Sequence, residues 1–182
     1  MDILEILRRH CPTRRFYEIC LTHGKDVAGV AIELAQRIDE KVDLVFLEDA
    51  AILHDIGAVQ TWQPQLGCNG VFPSFCHGFL GAEILRQEGL PRHANVCERH
   101  VGTGLTRDMI VSKNRVLPAN QRLPVRDMTP QTIEEELICF VDCFFAKWKL
   151  GEKRSLWEAR EKVLESGQNV NQFDLWVEKF LR

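Results

Sequence analysis

Apolar residues recur at helical spacing along most of the chain, and this periodicity dominates the sequence. Residues 2–9 form a short amphipathic pattern that stops near Pro12, and further helical patterns follow at about 12–22 and 24–38. No stretch alternates apolar and polar residues for long enough to predict a convincing strand. The sequence therefore predicts an all-α fold.

The most apolar of these patterns lies at about 43–56 and ends in adjacent His54 and Asp55. A helix with so little polar surface is normally buried. Gly57 is suited to the position just beyond a helix end. Because the carbonyl end of a helix carries partial negative charge, a cation is favoured there. An imidazole and a carboxylate at that end are candidate ligands of a divalent metal ion.

After this helix, a loop at 58–74 is unusually long for a compact domain, so it is interpreted either as a lid over a pocket or as a packed segment. Ser74 is predicted to cap the next helix, which Gly89 closes. The predicted helices of the second half lie at about 75–88, 91–100, 107–112, 130–149, 155–166 and 170–181.

The length of 182 residues predicts a single domain, 1–182, with its core at about 15–150 and the C-terminal helices 155–182 packed on it. Alternatively, those C-terminal helices form the face of a homodimer. The net charge of −3, without a dense basic cluster, argues against a nucleic-acid polymer as partner. Seven cysteines without a CxxC pair favour free thiols, and neither a signal peptide nor a membrane span is predicted. We therefore expect a cytoplasmic protein.

The candidate chemistry lies in an ordered series of histidines and carboxylates. A single histidine is more often a surface or core residue than a ligand, but here four lie at or near predicted helix ends, where separate helices can converge. The last member, Asp142, is the only carboxylate in the apolar run 137–146. A lone aspartate there costs several kcal/mol unless it is paired or coordinated. The series is His23, His54-Asp55, His77, His100 and Asp142.

This order resembles the HD superfamily of metal-dependent phosphohydrolases, whose HDIG variant reads His54-Asp55-Ile56-Gly57 here. The resemblance covers about 15–148 and implies a compact multi-helix bundle. The two histidines between the motif and the last aspartate are similar to the dinuclear branch of the superfamily. The segments 76–85 and 98–106 resemble a group of small HDIG proteins.

The resemblance implies two divalent transition metal ions per chain, drawn from Fe, Mn, Ni, Co or Zn. Asp55 would bridge them and orient the attacking water as the catalytic residue. The implied function is hydrolysis of a small-molecule or nucleotide phosphoester through a metal-bridging hydroxide. The first metal would be held by His23, His54, Asp55 and Asp142, and the second by Asp55, His77 and His100.

One position departs from the family pattern. Many HDIG proteins carry Lys or Arg directly after the glycine, where the charge can meet a substrate phosphate, but this chain has Ala58. The candidate substrate-binding cations are therefore sought elsewhere, and the best are Lys25, Arg122 and Arg126. Two alternatives remain open: a di-iron oxygenase of the same superfamily, and a non-catalytic module that binds a ligand.

Overall fold

The structure is a computed structural model that describes residues 2–182. It confirms the all-α prediction, since nine α-helices account for nearly all of the regular structure in the described residues. They are α1 (Ile3–His10), α2 (Arg14–Ala35), α3 (Leu44–Leu53), α4 (His77–Gln87), α5 (Pro91–Arg99), α6 (Arg107–Asn114), α7 (Ile133–Asp142), α8 (Leu156–Glu165) and α9 (Val170–Leu181).

The long loop is structured by a two-stranded antiparallel ribbon, β1 (Trp62–Gln63) and β2 (Cys68–Asn69). Short 3₁₀ turns precede, connect and follow these strands, at Ile56–Gln60, Pro64–Leu66 and Ser74–Cys76. The last turn corrects the prediction that Ser74 caps a helix directly, since α4 begins only at His77 and its N-cap side chain makes no capping hydrogen bond. Gly89 closes α4 as predicted, with a positive φ of 76°.

The predicted break in the helical pattern at Gly24 is wrong, because α2 runs through this residue without interruption. Thr13 caps its first turn by accepting a hydrogen bond from the amide of Phe16. The glycine is explained by packing: a Cβ there would lie 2.7 Å from the Cα of Ile52. Gly24 therefore allows α2 to cross α3 closely, and His23 lies in the middle of a helix instead of opening one.

Gly57 also has a different role from the predicted helix terminator. Helix α3 ends at Leu53, and the chain continues into the 3₁₀ turn that contains Gly57, whose φ is not positive. A Cβ at this position would lie 2.1 Å from the carbonyl oxygen of His77 and 2.2 Å from the amide nitrogen of Gly81. The residue is needed for close packing of the motif against α4.

The helix predicted at 130–149 is shorter than expected. Thr132 caps α7, which ends at Asp142, and the chain then turns. The guanidinium of Arg154 holds this turn by donating hydrogen bonds to the carbonyl oxygens of Cys143 and Phe145, at 3.0 and 2.6 Å. Residues 143–151 therefore fold back over the end of α7 instead of extending it.

Two large hydrophobic clusters meet along α2 and α3. The N-terminal half of α2 packs with α1, α4 and α5, whereas its C-terminal half packs with α7, α8 and α9. In the second of these clusters, Phe140 lies against Phe173, Trp176 and Phe180, with ring centroids 5.3, 6.3 and 5.5 Å away. The division of the chain into domains remains a prediction.

All seven cysteines are free thiols. Among the described helices, none combines the length and apolar character required to cross a bilayer.

Candidate metal centre

The six predicted ligands converge where the two clusters meet. They come from five parts of the fold: the middle of α2, the two residues that follow α3, the start of α4, the residue that follows α5 and the last residue of α7. The four histidines and Asp55 are buried, at 8% exposure or less, and the side chain of the sixth is 19% exposed. The set is His23, His54, Asp55, His77, His100 and Asp142.

One half of the centre surrounds the Oδ2 atom of Asp55. The Nε2 atoms of His23 and His54 both lie 3.3 Å from it. The same two nitrogens lie 2.9 and 3.6 Å from Oδ1 of Asp142. Two imidazoles and two carboxylates therefore converge within a small volume.

The other half surrounds the Oδ1 atom of Asp55. The Nε2 atoms of His77 and His100 lie 3.2 and 3.4 Å from it. These two nitrogens are only 2.9 Å apart. The two oxygens of one carboxylate thus face two different sets of histidines.

Backbone carbonyls fix the orientation of three of these imidazoles. The Nδ1 atoms of His54, His77 and His100 lie 2.6, 2.6 and 2.8 Å from carbonyl oxygens. A carbonyl oxygen only accepts hydrogen bonds, so Nδ1 carries the proton and Nε2 of the neutral ring presents a lone pair to the centre. This is the arrangement that metal-binding histidines commonly show.

Several atoms at the centre are buried without a hydrogen-bond partner. They include Nε2 of His23 and His54 and both carboxylate oxygens of Asp55, which neighbouring charged side chains approach without hydrogen-bond geometry. Buried polar atoms are nearly always satisfied, so this cluster calls for a missing partner that accepts lone pairs. Imidazole and carboxylate donors suit a borderline divalent metal ion. Within the described residues, two overlapping triplets have the spacing to hold one: His23, His54 and Asp142, and His54, Asp55 and His100.

The electrostatics of the centre also favour a cation. Burial disfavours charge on His54, but the carboxylates of Asp55 and Asp142 raise its pKa to about 10. Burial lowers the pKa of His100 to about 4, since this ring meets only one carboxylate and is repelled by neighbouring histidines. Burial also acts to raise the pKa of Asp55, yet His54 and Lys147 hold it well below its usual range. Negative charge is therefore retained inside the fold.

Sequence reasoning missed Lys147, whose Nζ lies 2.9 Å from Oδ1 of Asp55. The predicted helix at 130–149 would have turned this side chain away, because residues five apart lie on different sides of a helix. The observed turn after Asp142 brings it back to the centre. The sequence contained no signal for this contact, because the spacing of five residues from Asp142 argues against it in a continuous helix.

A cavity of about 440 Å³ opens beside the centre and is bordered by His23, His77 and Asp142. Four cationic side chains line it: Lys113, Lys147, Arg154 and Lys162. From the long loop, Gln63 reaches the cavity, whereas Trp62 does not line it and is 62% exposed.

The three cations selected from the sequence lie elsewhere. Lys25 is exposed on α2. Arg122 is also exposed and donates a hydrogen bond to the carbonyl oxygen of Leu117. Arg126 pairs with the buried carboxylate of Glu98. None of the three lines the cavity. Their assignment as substrate-binding residues stays a prediction.

A protein-family model, that of the HD domain, matches residues 20–147. An uncharacterized protein of Methanocaldococcus jannaschii is 33% identical over 143 residues, which cover 76% of this chain and 70% of that protein. A tRNA (cytidine(56)-2'-O)-methyltransferase of Thermoplasma volcanium is 30% identical over 135 residues, 74% of this chain. A protein of the same name from Picrophilus torridus is 29% identical over 126 residues, 69% of this chain. The chain spans about a third of each methyltransferase, 32% and 31%.

Among solved structures, the HD domain of the L. monocytogenes phosphodiesterase PgpH shares the fold, with a TM-score of 0.57 and 18% sequence identity. The match covers 98% of this chain and 95% of that domain. A second structure of the same domain, in complex with cyclic-di-AMP, gives the same TM-score and covers 92% of that chain.

Proposed function

The chain belongs to the HD domain family, and from this membership we propose that it is a phosphohydrolase with a dinuclear metal centre of the HDIG type. The observation that supports two metal ions is the division of the ligands by Asp55. Its Oδ2 faces His23 and His54, and its Oδ1 faces His77 and His100. A carboxylate that presents its two oxygens to separate histidine pairs is suited to bridge two cations.

The proposed ligand sets follow from these distances. One ion would be held by His23, His54, Asp142 and Oδ2 of Asp55, and the other by His77, His100 and Oδ1 of Asp55. Divalent ions held there would act as Lewis acids toward phosphoryl oxygens and lower the pKa of water.

The chain itself would contribute orientation and exclusion of water. The carbonyl oxygens of Ala51, Ser74 and Cys97 hold three imidazoles with Nδ1 protonated, so their Nε2 atoms already face the centre. His54, whose pKa is raised to about 10, would release its Nε2 proton when an ion binds. The buried walls strengthen electrostatic interactions at the centre, because the local dielectric is low. The adjacent cavity provides the opening through which a substrate would reach the centre.

The cavity also limits the proposed substrate. A volume of about 440 Å³ lies at the small end of the range for ligand pockets, and cationic side chains line it. We therefore propose a small-molecule or nucleotide phosphoester, either a monoester or a diester, as the substrate.

Dioxygen activation is the second candidate function. It is favoured by Ala58, which is completely buried and places no cation after the motif. The contact of Lys147 with Asp55 weakens this argument, since a cation reaches the centre from another segment. Hydrolysis would proceed without oxygen, whereas an oxygenase would require both iron and oxygen.

The proposal is tested by measuring nitrophenol release from nitrophenyl esters and phosphate release from nucleoside monophosphates. Metal-free protein would be reconstituted separately with Mn²⁺, Co²⁺, Ni²⁺, Zn²⁺ and, under anaerobic conditions, Fe²⁺. It would then be assayed on nitrophenyl phosphomonoesters, nitrophenyl phosphodiesters and nucleoside monophosphates. We expect metal-dependent hydrolysis that the Asp55→Ala variant loses. The matched control is His10→Ala, because His10 pairs with Glu88 away from the centre and its loss should leave the rate unchanged. Absence of hydrolysis with every metal would refute the proposal.

A further inference from the structure

Nitrogen atoms of three side chains lie close to the Oδ1 atom of Asp55. The ammonium of Lys147 lies 2.9 Å from this atom, and the Nε2 atoms of His77 and His100 lie 3.2 and 3.4 Å from it. The lysine therefore lies in the half of the centre where the second metal ion would bind. In the described structure it provides the positive charge at this oxygen.

An ammonium and a divalent ion cannot both remain in contact with Oδ1. The ammonium has three donors and no lone pair, so it cannot ligate a metal ion. The two positive charges would also repel each other strongly at contact distance, where little water is present to screen them. Binding of a metal ion between His77 and His100 therefore requires Lys147 to move.

The cavity beside the centre has room for the side chain of Lys147 after it leaves Asp55. Its side chain is 16% exposed and lines the cavity beside the centre. Its backbone belongs to the turn after α7, outside any helix, and its four-carbon stem is flexible. A displaced ammonium would enter the cavity close to Lys113 and Lys162, which line the same space.

We propose that Lys147 and a metal ion are alternative partners of Asp55 Oδ1, and that the displaced Lys147 binds a phosphoryl group of the substrate in the cavity. This inference rests on the dinuclear centre proposed above. It assigns to Lys147 the role for which position 58 offers only a buried alanine. Substrate affinity and loading of the second metal ion are then coupled through one side chain.

The first test measures metal binding without any turnover. Chelator-treated wild type and Lys147→Met would be titrated with Mn²⁺ in a calorimeter. We expect the second equivalent to bind about tenfold more tightly to the variant, because no ammonium has to be displaced. The matched control is Lys149→Met, two residues away, since Lys149 is exposed and pairs with Glu152, at 3.2 Å. The control should titrate like wild type.

The second test uses inorganic phosphate as the probe, titrated into the Mn²⁺-loaded proteins. Lys147→Met should bind phosphate about tenfold more weakly than wild type and the Lys149→Met control. Lys147→Arg retains the charge, so it should bind phosphate about as wild type does. It also shows whether an effect of methionine comes from lost charge or from altered packing, and thermal melts of both variants check folding.

Two results would overturn the inference. If wild type and Lys147→Met bound the second Mn²⁺ with equal affinity, competition at Oδ1 would be excluded. The same conclusion would follow if each protein bound only one ion. Equal affinity for phosphate would exclude Lys147 as the anion-binding cation. Both readouts are independent of hydrolysis, so a protein that binds two Mn²⁺ ions and phosphate without cleaving any phosphoester would refute the proposed function and leave this inference intact.

Discussion

Three of the four histidines of the candidate centre are oriented by the same local hydrogen bond. In each of three cases, Nδ1 contacts the carbonyl oxygen of the residue three positions earlier: Ala51 for His54, Ser74 for His77 and Cys97 for His100. The carbonyls of Ala51 and Cys97 lie in the last turn of a helix, where backbone acceptors are left without helical partners. The carbonyl of Ser74 lies in a 3₁₀ turn and also accepts a hydrogen bond from the amide of His77. Because each hydrogen bond spans only three residues, a histidine near a predicted helix end could be recognised in the sequence as a candidate ligand.

The division of ligands by Asp55 predicts different metal contents for different variants. His54→Ala and Asp55→Ala should lose all bound metal and all activity. His77→Ala or His100→Ala should lose only one of two ions, because the Oδ2 half of the centre remains complete. Elemental analysis of the purified variants measures this directly. If His77→Ala or His100→Ala kept the full complement of wild type, the dinuclear assignment would be wrong.

Gly57 supports the centre through its lack of a side chain. A methyl group at this position would meet the backbone of His77 and Gly81, which cannot move without displacing the start of α4. Gly57→Ala should therefore destabilise the fold by about 1–3 kcal/mol and weaken metal binding. Urea unfolding and a Mn²⁺ titration measure the two effects.

The matched control for this substitution is Gly29→Ala. Gly29 lies exposed within α2, and a Cβ there has no atom within 4 Å. Alanine is the better helix former, so this variant should gain about 0.5–1 kcal/mol. If both variants changed the free energy of unfolding by a similar amount, the contacts around Gly57 would not explain the effect of Gly57→Ala.

At the scale of elements, the local apolar pattern predicted most helices, but not the helix boundaries that depend on tertiary contacts. The last two helices were expected at 155–166 and 170–181 and occur at Leu156–Glu165 and Val170–Leu181. Two of the errors, at Gly24 and after Asp142, have causes that lie far away in the sequence or beyond the helix concerned. Gly24 is required by the approach of Ile52, and the turn after α7 is held by Arg154. Helical periodicity contains no information about either contact.

The same limit applied to the site. The six candidate ligands could be selected by residue type, order and resemblance, and the structure brings all six together. The cations that line the cavity were not selected. Lys25 was chosen for its proximity to His23 in the sequence, and Arg122 and Arg126 because residues 123–125 would tether them. Lys147 reaches the centre only because the chain turns at Cys143.

The turn after α7 gives a prediction at this scale. Arg154→Met should remove the guanidinium that binds the carbonyl oxygens of Cys143 and Phe145 and should cost about 1–3 kcal/mol. Hydrogen exchange at residues 143–151 should become faster, since their positions are no longer fixed. The neighbouring Lys153→Met is the control. Lys153 is exposed, and its ammonium lies 5.6 Å from the ring centroid of Phe144, so it contacts the turn without binding these two carbonyl oxygens. Unchanged exchange in Arg154→Met would show that the turn is held by other contacts.

At the scale of the whole molecule, the candidate centre lies where the two large clusters meet. The boundary crosses α2 near His23 and α3 near His54, so both clusters contribute to the position of the ligands. Helices α8 and α9 belong to one of these clusters, with Phe173, Trp176 and Phe180 nearly completely buried. The C-terminal segment should therefore unfold together with the rest of the chain.

Phe173→Ala tests this coupling. Phe173 is completely buried and packs against Phe140 and Phe144, with ring centroids 5.3 and 5.9 Å away. Its truncation should cost about 3–5 kcal/mol in a single transition seen alike by circular dichroism and tryptophan fluorescence. Leu175→Ala is the control, since Leu175 is 59% exposed and its loss should change stability by less than about 0.5 kcal/mol.

Metal binding separates a global effect of Phe173→Ala from a local one. No candidate ligand belongs to α9, so the folded variant should bind as many metal ions as wild type. Added Mn²⁺ should then raise the melting temperatures of both proteins, because the ion binds only the folded state. Asp55→Ala should show no such rise. Two separate transitions in Phe173→Ala, with the metal centre intact after the first, would mean that α8 and α9 fold apart from the rest and that the single-domain prediction is wrong.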